Sequence, residues 1–219
     1  MSGVTIVTQP TIEPVSGNQV RNHLKIEYDE DNDMIVSLIV AARQFVEDYT
    51  GTALMTQTLK LSLDGVSEYD VPLRDGLYVG KESYYQKRII YLPHPPLVSV
   101  THIKTFADDN TESTFAAANY HVDANGTPGR IVLKDGQNWP TNLRYPNGIE
   151  VTYVTGYSTQ QDVPKPLQFA IMQYINYLYE NRGEMGTDAP GGPPSVRGLL
   201  QSYRVMGFSN FPYTLSRNF

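Results

Sequence analysis

Between Asp31 and Leu63 the spacing of apolar residues changes from that of a helix to that of a strand, and this passage constrains the fold more than any other. From Met34 the apolar residues run Met34, Ile35, Leu38, Ile39, Ala42, Phe45, Val46 and Tyr49. That spacing predicts one buried stripe of a helix over 31–50, with Ser37, Arg43, Gln44, Glu47 and Asp48 on the opposite, wet face. Asp31, Asn32 and Asp33 supply negative charge and capping oxygens where a helix begins, and Gly51 supplies the left-handed stop. From Leu54 the period becomes two: Leu59, Leu61 and Leu63 share one face, and Thr58, Lys60 and Ser62 the other.

The rest of the chain extends this order. Residues 1–15, with Pro10 and Pro14 and no clear period, read as an extended arm. A short helix follows over Ser16 to Ile26, with Ser16 as its cap and Val20 and Leu24 on one face. Residues 54–157 form a β-rich block with turn signals at Asp64-Gly65, Asp75-Gly76, Asn125-Gly126, Asp135-Gly136 and Asn147-Gly148. Its strands are expected at 54–63, 68–73, 88–92, 97–106, 119–123, 130–134 and 148–155. Helix returns at about 164–182, with Pro164 and Pro166 in the first turn and Leu167, Ala170, Ile171, Tyr174, Ile175 and Leu178 inward. Residues 183–195 have the composition of a linker, and a last short helix over Val196 to Tyr203 precedes an aromatic tail. The order predicts an α+β fold: an α-helical bundle formed by N-terminal and C-terminal helices, with an inserted antiparallel β-sheet subdomain. Because the helices come from both ends of the chain, residues 1–204 are expected to act as one cooperative domain, and 205–219 as a C-terminal extension.

Composition narrows the function. A chain of 219 residues makes one or two domains and buries a core without covalent staples. It has no cysteine, so disulfides and thiolate metal sites are excluded, and assembly in a reducing cytoplasm fits. No run of about 18 apolar residues offers a membrane span. The N-terminal stretch has neither the basic start nor the apolar core of a secretory signal, so secretion is not expected. The formal charge is −6, and no basic stripe marks a surface that grips DNA by its phosphates. Sixteen tyrosines point to broad amphipathic contact surfaces or to half-buried strands.

No catalytic constellation stands out. His23, His94, His102 and His121 are scattered, without a partner at ligand spacing. Asp29, Asp31 and Asp33 imitate the start of a calcium loop, but Met34 replaces its glycine and Val40 its closing glutamate. Residues 76–83 imitate a phosphate loop, but have three residues between Gly76 and Gly80, and Glu82 in place of the magnesium-binding hydroxyl. Asn125-Gly126-Thr127 fits a glycosylation sequon and reads better as a hairpin turn. Adjacent carboxylates such as Glu47/Asp48 diverge on a helix. No cofactor is expected, and a structural or interaction role is favoured over an enzyme.

The run from Asp31 to Leu63, through Ala41, Ala42, Arg43, Val46, Glu47, Thr50, Gly51, Ala53 and Leu54, resembles the opening of the head-tail connector (adaptor, or head-completion) proteins of tailed bacteriophages. Three later blocks agree in order: Ile89 to Asn110 with its Pro-rich turn, the hairpin from Tyr120 to Pro140, and the helix after Val163-Pro164-Lys165-Pro166-Leu167. Together they cover roughly residues 18–204. The resemblance implies a virion protein at the head-tail interface, assembled in the bacterial host cytoplasm as a ring of identical copies, twelve to match the portal. It would dock on the portal protein, extend the DNA channel without binding DNA specifically, and present a platform to the tail or a second connector protein; no membrane is involved.

Within that frame three surfaces are candidates. The tail residues Phe208, Phe211, Tyr213, Leu215 and Phe219, with Arg204 and Arg217, suit a segment that orders on the portal or on an adjacent copy. Tyr78, Tyr84 and Tyr85 lie in a stretch that departs from the family and is expected to project toward a neighbour or the tail side. Asp29, Glu30, Asp31 and Asp33 would line a channel that repels phosphates, or simply form a solvated helix start. The alternative class is a β-rich carbohydrate-binding or other interaction module, with Trp139 and the tyrosines as stacking platforms.

Overall fold

The structure, a computed structural model, describes residues 3–27, 30–65, 88–181 and 192–205. The chain runs β1 (Gly3–Thr8), α1 (Gly17–Leu24), α2 (Asn32–Thr50), β2 (Gln57–Leu63), β3 (Ile89–Leu92), β4 (Leu97–Phe106), β5 (Glu112–Phe115), β6 (Tyr120–Asp123), β7 (Gly129–Leu133), β8 (Ile149–Thr155), α3 (Lys165–Glu180) and α4 (Pro194–Leu200). The class is α+β, as the sequence predicts. Two compact units divide it: one holds β1 and Gln57–Thr155, the other Pro10–Thr56 and Gly156–Val205.

In the helical unit, α1 begins as expected. The Ser16 hydroxyl accepts the Gln19 N–H, and the Gln19 side chain accepts the Ser16 N–H in return. α2 ends at Gly51, whose φ of 70° suits glycine and whose N–H reaches the Glu47 carbonyl at 2.8 Å. The apolar stripes of α2 and α3 close on each other. Ile35, Ile39, Ala42 and Val46 form one buried cluster with Leu167, Ala170, Ile171 and Ile175, joined by Val196 and Leu200 of α4. Tyr174 is half-buried and stacks on Phe45 at 4.1 Å, while Leu178 is half-buried outside the cluster.

In the sheet unit the strand order is β1-β2-β8-β4-β5, antiparallel throughout, beside a second sheet ordered β3-β7-β6. The Leu59, Leu61, Leu63 face meets Val151 and Tyr153 of β8, Ile103 of β4, and Ile90, Leu92, Ile131 and Leu133 of the second sheet in one cluster. Tyr153 is fully buried, and burial pushes its phenol pKa far up while its hydroxyl donates to the Pro93 carbonyl at 2.9 Å.

Several sequence expectations need correction. Arg43 and Glu47 do not lie on a wet face but are buried, 3% and 8% exposed. They pair with each other, so the chain buries two charges without leaving either alone. Asp31 stands at the N-cap of α2 but its side chain makes no capping bond. Residues 3–8 are extended, as read, but as a strand of the sheet: they pair with β2 from Gly3↔Ser62 to Thr8↔Thr58. β2 starts at Gln57, because the buried Leu54 and Met55 belong to the helical cluster. The short strand β5 lacks an apolar alternation and was not anticipated. The strand expected at 68–73 lies outside the described residues.

Candidate assembly surfaces

The passage from α2 to β2, which carries the family-like residues, is a braced helix end. Arg43 sits between two carboxylates: Nε donates to Glu13 and Nη1 to Glu47, each at 2.8 Å. Glu47 also accepts the Leu54 N–H at 2.9 Å, tying the chain leaving the helix back to its last turns. Burial raises the Glu47 carboxyl pKa, against the lowering effects of the Leu54 N–H and the Arg43 guanidinium. Thr50 donates its hydroxyl to the Val46 carbonyl at 2.7 Å and lies 2.7 Å from the Thr52 hydroxyl. Gly156 faces this passage with a φ of 102°, and a Cβ there would fall 2.1 Å from the Met55 carbonyl oxygen. The run therefore holds shape, with Arg43 committed to Glu13 and Glu47.

The residues that follow α4 return to the same helix end. The Val205 N–H donates to the Thr50 carbonyl at 2.8 Å, and the Arg204 guanidinium lies 5.7 Å from the centre of the Tyr49 ring. Arg204, read from sequence as an interface residue, is thus placed on α2. Phe208, Phe211, Tyr213, Leu215, Arg217 and Phe219 lie outside the described residues, as do Tyr78, Tyr84 and Tyr85.

Of the acidic group, Asp29 lies outside the described residues, and Glu30 and Asp33 are exposed. Asp31 is turned to the neighbouring helix, where Oδ2 accepts the Tyr179 hydroxyl at 2.6 Å. Trp139 is 9% exposed and packs against Phe115 at 5.0 Å, so it offers no open ring face to a sugar. Its indole N–H has no hydrogen-bond partner among the described residues. His23 meets the edge of Phe169 at 6.4 Å. Among the described residues no group of three or more His, Asp or Glu could hold a metal ion, and no helix is long and apolar enough to cross a membrane.

Sequence reading missed one surface. The outer strand β1 is exposed along nearly its whole length, with Ile6 and Val7 at 48% and 56%. The signal was present in the run Val4-Thr5-Ile6-Val7-Thr8, whose β-branched residues favour a strand.

Comparison with known proteins bears on these features. Residues 18–89 match the family model of phage gp6-like head-tail connector proteins. No curated protein matches by sequence. The fold is similar to a chain in the neck of an empty gene transfer agent (GTA) particle computed with C6 symmetry, with a TM-score of 0.68 and 20% identity over 94% of this chain and 98% of that one. A chain in the virion of the native GTA particle gives 0.64 at 18% identity, over 94% and 98%. One in the native neck computed with C12 symmetry gives 0.59 at 19%, over 93% and 99%. Over residues 18–89, a stretch that includes the braced end of α2 and the start of the sheet, the chain is thus similar to the phage gp6-like head-tail connector proteins, and over nearly its full length it shares the fold of the neck chains.

Proposed function

We propose that this protein forms a ring of identical copies in the neck of a virion, docked on the portal and open along its axis for DNA. The observation that carries the reading is the connector match over residues 18–89, set within a fold like that of neck chains over nearly its full length. The C6 and C12 symmetry with which those necks were computed favours twelve copies, in a heterologous ring that closes on itself. Residues 205–219 are the main portal anchor in this reading: Val205 is held on α2, and five large apolar side chains follow it. The exposed Glu30 and Asp33, with Asp29, face the channel and keep phosphates from binding, in keeping with the net charge of −6. The opposite ring face receives the tail or a second connector, and assembly takes place in the host cytoplasm.

The test is electron microscopy of the full chain mixed with portal rings, beside a chain truncated after Val205. Twelve-fold rings seated on the portal are expected from the full chain, and none from the truncated one at unchanged thermal midpoint. Full occupancy by the truncated chain would move the anchor elsewhere, and absence of any ring with the full chain would remove the connector reading. The carbohydrate-module reading has lost Trp139 as its platform.

A further inference from the structure

A closed ring needs two different surfaces on each copy, and the five-stranded sheet has two ends. Among the described residues β1 and β5 each pair on one side only. Edge strands with free backbone N–H and C=O groups accept further strands unless charge or proline blocks them. β1 carries no such block, since residues 1–12 contain no charged side chain and the first proline, Pro10, lies beyond the strand. β5 is shorter, with Glu112 drawn aside to Lys104 at 2.8 Å.

The inner face of the sheet runs out at both ends unfinished. One row crosses all five strands through Val4, Leu61, Val151, Ile103 and Phe115. Its central members are fully buried, while Val4 and Phe115 are only partly so. The next row runs from Ile6 through Leu59 and Tyr153 to Val100, leaving Ile6 half in water. Four successive antiparallel pairings also make β1 and β5 point the same way. A rotation that carries one copy onto the next with the sheet continued therefore brings β1 alongside β5 in parallel, a permitted though slightly weaker pairing.

We infer that the seam between adjacent copies is strand addition, β1 of one copy against the free edge of β5 of the next. The inference rests on the ring reading above and names the contact that closes it. Setting Gly3 beside Glu112 aligns Val4 with Ser113, Thr5 with Thr114 and Ile6 with Phe115. All four β5 residues are then paired, and the half-exposed Ile6 is covered by an aromatic ring already packed against Trp139 and Tyr120. A one-residue slip would turn Ile6 to the opposite face, so the apolar pattern selects the register.

The absence of cysteine allows a direct test. Thr5 and Thr114 are both exposed, and lie side by side across the proposed seam. The full chain carrying Thr5→Cys and Thr114→Cys, treated with a short bismaleimide, should give a ladder of covalent multimers. A mixture of the two single variants should give only heterodimers, which keeps the test usable if the double variant folds poorly. Adding Ile6→Lys should suppress the ladder at least tenfold while leaving the thermal midpoint unchanged. Oligomers seen by light scattering without the ladder would overturn the seam and leave the ring reading standing. Dimers from Thr5→Cys alone would show β1 pairing with itself about a two-fold axis, which also overturns the seam. A wild-type chain that stays monomeric at every concentration, and on portal rings, would overturn both.

Discussion

The Tyr179 hydroxyl donates to Asp31 Oδ2 at 2.6 Å, joining the end of α3 to the start of α2. A carboxylate expected to cap its own helix serves instead as a clasp between helices distant in sequence. A hydrogen bond to a charged group contributes about 1.5–3 kcal/mol. Tyr179→Phe should therefore lower unfolding stability by about 1.5 kcal/mol in a urea titration. A change below about 0.5 kcal/mol, the level of an ordinary surface site, would show that the clasp contributes nothing in solution.

The paired stripes give a graded expectation. Ile171 is fully buried between α2 and α3, whereas Leu38 is only partly covered. Ile171→Ala should cost about 2–5 kcal/mol, and Leu38→Ala clearly less. Equal losses in parallel denaturation curves would mean that the two positions are buried alike.

The buried carboxylate makes stability depend on pH. Burial raises the Glu47 pKa above its ordinary 4.5, so between those two values the folded protein binds a proton that the unfolded chain releases. Its titration favours folding fully below the ordinary value, and the advantage is lost as pH rises through the raised one. Glu47→Gln removes this titration while keeping an acceptor for the Leu54 N–H. The stability of the wild type relative to Glu47→Gln should therefore fall as pH rises from below 4.5 toward neutrality. Glu47→Ala strips Arg43 of one partner and Leu54 of its acceptor, at a cost of about 3 kcal/mol at neutral pH. A pH-independent difference between wild type and Glu47→Gln would refute the raised pKa.

Deleting residues 76–86, with Tyr78, Tyr84 and Tyr85, should leave a soluble, folded protein that assembles poorly with its neighbours. Loss of folded protein, read by circular dichroism and gel filtration, would assign these tyrosines to the core.

What the sequence made legible followed from strong periodicity. The α2 stripe, the Leu59, Leu61, Leu63 face and the Pro-led start of α3 each obey one period over many residues, and the structure places them as expected. Arg43 and Glu47 were misplaced because a binary pattern scores a charge as wet; only their i,i+4 spacing at the stripe's margin hinted that they could satisfy each other inside. β1 escaped because two nearby prolines suggested an arm, and its pairing with β2 is a contact between distant segments that no local pattern reveals. The seam residues share that difficulty, since an edge exists only once the strand order is known.

The attachment of Val205 to Thr50 also has a mechanical meaning. If a neighbouring molecule holds the tail, tension on the assembled particle enters this subunit at the last turn of α2. That turn is stiffened by the Thr50 hydroxyl on Val46, by Gly51 on Glu47 and by the Glu47 bridge to Arg43. A tug from the partner would thus reach, beside the covalent chain itself, the end of a braced helix of 19 residues, where a loop in the same place would give more readily.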